Sequence, residues 1–94
     1  MKHYIIAKFK PEVTDRPELC TQIADLFTAA TQIPGVYSAE VYPNCIDRAN
    51  RFDVMIVLDM DKAALTAWDD SPLHRQWKEN FGELLEKKAI LDHE

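Results

Sequence analysis

A chain of 94 residues, 47% hydrophobic and 29% charged, suffices for one folded domain and excludes a second core. Two glycines and five prolines exclude a low-complexity or disordered chain. Eleven basic against sixteen acidic residues, a net of −5, argue against nucleic acid or an anionic membrane as partner.

The opening run KHYIIAKFK, residues 2–10, alternates. His3, Ile5, Ala7 and Phe9 share one face, while Lys2, Tyr4, Ile6, Lys8 and Lys10 share the other. This predicts a strand ended by Pro11. The charges of this run do not make a signal peptide, and no segment approaches the roughly 20 apolar residues that span a bilayer. A cytoplasmic protein is expected, with Cys20 and Cys45 as plain thiols.

Asp15 and Glu18 have capping-box spacing, with Pro17 tolerable in a first helical turn and Thr14 as the competing cap. Leu19, Ile23, Leu26, Phe27 and Ala30 then form an apolar helical stripe. Ile33-Pro34-Gly35-Val36 turns the chain into a second strand, Val36 to Tyr42, closed by Pro43. A polar connection, Asn44 to Arg51, leads to a third strand, Phe52 to Met60. Phe52, Val54, Ile56, Leu58 and Met60 share one face of it, and Asp53, Met55, Val57 and Asp59 the other.

Asp61 can cap a short helix, Lys62 to Asp70, with Leu65 and Trp68 inward. Ser71-Pro72 opens another, carrying Leu73, Trp77, Phe81, Leu84 and Leu85, with Lys87 and Lys88 suiting its C-terminal end. Ala89 to His93 closes the chain as a short strand. The expected fold is α+β: a ferredoxin-like βαββαβ domain over residues 1–94, strand order 4-1-3-2, with no internal repeat or linker.

In that topology both helical layers cover one face of the sheet, so a lone domain's central strands should alternate cleanly. The third strand does not, because Val54-Met55-Ile56-Val57-Leu58 is continuously apolar. Tyr4 and Ile6 extend the far face. A homodimer with Tyr4, Ile6, Met55 and Val57 at its interface is therefore expected; a monomer with a tolerated apolar face is the alternative.

KHYIIAKFK, IPGV at 33–36, Asn44 and Arg51 around the long loop, Phe52 to Asp59, SPLH at 71–74 and the closing LDHE resemble the stress-responsive A/B barrel family. The resemblance covers essentially the whole chain, in family order. It implies a ferredoxin-like dimer whose two sheets pack into an α/β barrel. More distantly the chain resembles the family's polyketide cyclase, olivetolic acid cyclase, which closes a ring by aldol condensation in a pocket between sheet and helices. Carried over by motif, that enzyme's histidines fall on His3 and His74 and its last-strand aspartate on Asp92. Its tyrosine position holds Trp68, and the family histidine before the proline is Ser71.

A ring-closing or enolising site needs a base of near-neutral pKa and a group that orients it. The resemblance makes His74 the base, Asp92 its orienting partner and His3 a second polar group, with Trp68, Tyr4, Trp77 and Phe81 as the apolar wall. Structural readings stand beside these. His74 also suits a first turn behind Ser71, His3 a hydrogen-bonded core histidine, and the aromatics an ordinary core. Indole cannot exchange a proton as a phenol does, so Trp68 favours binding over catalysis.

No metal is expected, since Asp47, Asp53, Asp59 and Asp61 are scattered and His3, His74 and His93 lack zinc-like spacing. No cofactor is expected either, for want of a Gly-rich phosphate loop. The expected function is binding of a small apolar or aromatic compound. The alternatives are acid–base chemistry on a carbonyl compound with His74 as base, and a structural, stress-associated dimer without ligand.

Overall fold

A computed structural model describes residues 1–94. Four strands, β1 (Lys2–Phe9), β2 (Val36–Pro43), β3 (Val54–Met60) and β4 (Leu85–His93), form one antiparallel sheet of order β2-β3-β1-β4. Helix α1 (Arg16–Phe27) runs on through a 3-10 turn at Thr28–Gln32. A second 3-10 turn at Lys62–Ala64 leads into α2 (Leu65–Asp69), and α3 (Pro72–Phe81) passes through a third at Gly82–Leu84 into β4.

The pleat sorts the central strands as the alternation predicts. His3, Ile5, Ala7 and Phe9 of β1 and Val54, Ile56, Leu58 and Met60 of β3 are buried. They pack with Ile23 and Phe27 of α1, Trp68 of α2, and Leu73, Trp77 and Phe81 of α3. On α1 the buried stripe is Cys20, Ile23, Phe27 and Ala30, one position round from the stripe led by Leu19, which is only partly buried.

Several boundaries differ from expectation. Asp15 precedes α1 in the left-handed region (φ 58) and makes no side-chain cap bond. A capping side chain needs an extended backbone to reach the first free amides, so the capping box does not form. Helix α3 stops at Phe81, and Lys87 and Lys88 lie on β4. Central strand β1 needs a ladder partner on that side, and residues from Leu85 supply it. Strand β3 begins at Val54, after Asp53, whose carboxylate accepts from the Phe9 amide at 2.8 Å and from Arg16 Nη1 at 3.0 Å.

Other local signals hold. Ser71 caps α3, its Oγ accepting from the His74 amide at 3.1 Å with Pro72 at the first helical position. Gly35 turns the chain at φ 86, and a Cβ there would lie 2.8 Å from the Ala64 Cβ, so both the angle and the space call for glycine.

No helix covers the far face of the sheet. Two cross-strand rows lie there: Glu40-Val57-Tyr4-Leu91 and Tyr42-Met55-Ile6-Ala89. Tyr4, Ile6, Met55 and Val57 are half-buried, and Leu91 and Tyr42 are exposed. Beyond Leu85, every residue of β4 is exposed.

Candidate functional site

Strands β1 and β4 are antiparallel neighbours whose register sets His3 directly opposite Asp92. The Asp92 Oδ1 lies 2.5 Å from His3 Nδ1. An ionised carboxylate only accepts, so, facing one, Nδ1 is the donor, and a ring carrying its single proton there has its lone pair at Nε2. That Nε2 is buried and has no hydrogen-bond partner. His3 itself is only 3% exposed, whereas the Asp92 side chain is 38% exposed. The ring is thus pinned at its wet edge and left unsatisfied at its dry one.

Trp68 stands beside His3, their ring centroids 6.3 Å apart and steeply inclined. Its other neighbour is His74, at 4.8 Å. The Ser71 cap fixes the start of α3, so that the His74 ring turns back over the previous helix. There Nδ1 donates to the Asp69 carbonyl at 2.9 Å. Asp92, His3, Trp68 and His74 therefore form one contiguous run. The expected His74–Asp92 pair is not formed, because the β1–β4 register gives Asp92 to His3.

The remaining expected pocket residues lie elsewhere. Tyr4 follows His3 on a strand, so it faces the other side of the sheet and cannot join a helix-side wall. Trp77 and Phe81 are core residues, stacked 5.7 Å apart, with Phe27 bridging Trp77 and Trp68 at 5.6 Å from each. Trp68, 1% exposed, fills the space between the two histidines rather than lining an opening.

Two cavities open away from this group. One, of about 870 Å³, lies between α1 and the connection after β2, bordered by Arg16, Cys20, Cys45, Ile46 and Asp53 among others. The other, about 310 Å³, sits on the far sheet face beside Ile6, Tyr42, Arg51 and Met55. Neither is lined by His3, Trp68, His74 or Asp92.

The larger cavity escapes sequence reasoning, since Arg16 and Asp53 meet across 37 positions. Only the spacing Cys20-Ile23-Phe27 hints that Cys20 faces inward. Burial, and secondarily the charge of Asp53, push the Cys20 thiol above its usual range. No group of three or more His, Cys, Asp or Glu side chains is arranged to hold a metal ion. No helix is long and apolar enough to cross a membrane.

Several solved structures share this architecture. A dimeric protein of unknown function and ferredoxin-like fold from Bacteroides fragilis superposes with TM-score 0.85 at 15% identity, over 99% of this chain and 93% of that one. A Dabb family protein with a ferredoxin-like fold from Mesorhizobium loti gives 0.72 at 19%, over 99% and 93%. The hydroxynitrile lyase from Passiflora edulis gives 0.73 at 17%, over 98% and 89%. At these identities the likeness is one of fold. No curated protein matches the chain. The stress responsive A/B barrel domain matches residues 1–94, the whole length, and the chain belongs to that family.

Proposed function

We propose that this protein is a homodimer that takes a small, largely apolar or aromatic carbonyl compound on the helical side of its sheet, with His3 as the base and Asp92 orienting it. One observation carries the chemistry: a buried imidazole whose Nδ1 is fixed by a carboxylate while Nε2 has no partner. An unsatisfied buried polar atom costs about 1–3 kcal/mol. Such an atom persists where a bound ligand satisfies it. A carboxylate behind an imidazole both sets the tautomer and favours the imidazolium formed on proton abstraction. Trp68 packs beside His3, and a ligand entering there would take its indole as a flat apolar wall.

Hydrogen–deuterium exchange beside the carbonyl of acetophenone, followed by NMR in heavy water, tests this reading. His3→Ala should slow exchange by roughly 10²–10⁴-fold, the usual span for a general base. His74→Ala should largely retain it. Equal exchange in wild type and His3→Ala would remove the proposed base. Saturable binding without exchange would instead support a pure binding protein, and neither binding nor exchange would leave the structural dimer, the reading that the closed packing of Trp68 favours.

The dimer rests on the apolar centre of the far sheet face, Tyr4, Ile6, Met55 and Val57, and on the dimeric state of the Bacteroides fragilis protein of like fold. Completing the burial of four half-covered side chains contributes roughly 1 kcal/mol or more each. The family's barrel is the arrangement that would cover them.

A further inference from the structure

We propose that Cys20 and Cys45 form a reversible disulfide that shuts the cavity between α1 and the connection at 44–53. These are the chain's only cysteines, and both are free thiols. They line the same cavity from its two walls, Cys20 on α1 and Cys45 on the connection. This site is separate from the His3–Asp92 pair and independent of the function proposed for it.

The two walls differ in burial and in how they are tied to the fold. Cys20 belongs to the packed stripe of α1 and is 7% exposed, so the cavity is its opening to solvent. Cys45 is exposed, on a segment bonded mostly to itself. Asn44 bonds Ile46 through its side chain, and the Arg48 amide donates to the Ile46 carbonyl. Its ties to the rest of the fold are Lys8 on the carbonyls of Ala49 and Arg51 and, at its far end, Asp53, whose amide donates to the Ala7 carbonyl and whose carboxylate accepts from the Phe9 amide and Arg16. A disulfide needs Cα atoms within roughly 4.4–6.8 Å, and forming one would hold the connection and α1 together across the cavity. Apolar lining from Pro17, Ala24, Val41 and Ile46 favours that closure.

The chemistry balances with hydrogen peroxide as oxidant. The exposed Cys45 sulfur, as thiolate, attacks one peroxide oxygen. The O–O bond breaks, and the departing hydroxide takes up a proton as water, leaving a sulfenic acid. Cys20 gives up its proton and its sulfur attacks Cys45 Sγ. The S–S bond forms as the S–O bond breaks, and a second water leaves. Two thiols lose two electrons, and one peroxide becomes two waters. Burial and Asp53 hold Cys20 as a thiol, so the first attack on peroxide falls to the exposed Cys45. The connection also borders the smaller cavity through Asn44, Asn50 and Arg51, so closing one cavity reshapes the other.

Full-length protein treated with one equivalent of hydrogen peroxide, then quenched in acid, provides the test by intact mass and peptide mapping. The expected product has lost two hydrogens, joins the Cys20 and Cys45 peptides within one chain, and reverts with dithiothreitol. In Cys20→Ser, Cys45 should gain oxygen atoms instead. Three wild-type outcomes would overturn the proposal: Cys45 linked between chains, Cys45 oxygenated while Cys20 stays free, or neither thiol oxidised.

Discussion

His3 holds its two nitrogens in opposite circumstances: one bonded to a carboxylate, the other bare inside the core. Stability and activity should therefore separate there. Asp92 is exposed enough to be solvated without its partner. His3→Phe should then leave thermal unfolding unchanged or raise stability by about 1 kcal/mol, since an unsatisfied buried atom is removed. The same variant should abolish any exchange of acetophenone. At Cys20, the raised pKa means that the fold favours the protonated thiol. Its contribution to stability is complete below the ordinary thiol range and is lost as pH rises through the higher folded value. Iodoacetamide should accordingly modify Cys45 before Cys20. Asp53→Asn, by removing a neighbouring negative charge, should shift the pH profile of Cys20 alkylation downward. His3 and Asp92 were legible as candidates, and their pairing follows once the first and last strands are set side by side. The position of His74 was not legible, because it depends on how α2 and α3 meet around Trp68.

Helix α3 shows which local signals survive tertiary competition. Ser71-Pro72 starts it as read, and Ser71 Oγ also donates to the Trp68 carbonyl at 2.7 Å, joining two helices through one hydroxyl. Ser71→Ala should cost about 1 kcal/mol for the cap and lower the midpoint of thermal unfolding measured by circular dichroism. The other end was misread, since Leu84 and Leu85 continue a helical stripe equally well. Ladder bonds between β4 and β1 outweigh that periodicity. At α1 the capping-box residues are present but unused, because Asp15 turns with positive φ. Strand β1 was legible from its alternation almost to the residue, and β3 from its apolar run to within two residues of its start; boundaries set by a partner element were not.

At the scale of the whole molecule, the uncovered sheet face dominates. Val57 lies in the middle of the row from Glu40 to Leu91, opposite Tyr4. Val57→Lys should place an unpaired charge in the proposed dimer interface and dissociate or unfold the protein, as sedimentation would show. A monomeric wild type would remove the dimer. One further consequence concerns β4, which pairs with β1 alone and is exposed along almost its whole length. Asp92 rides on that strand, next to its last residue, His93. Opening of its last ladder bonds would withdraw the carboxylate from His3. If His3 is the base as proposed, its imidazole sits in the packed core while its carboxylate sits on an exposed edge strand, so the persistence of their contact would follow the opening of that strand.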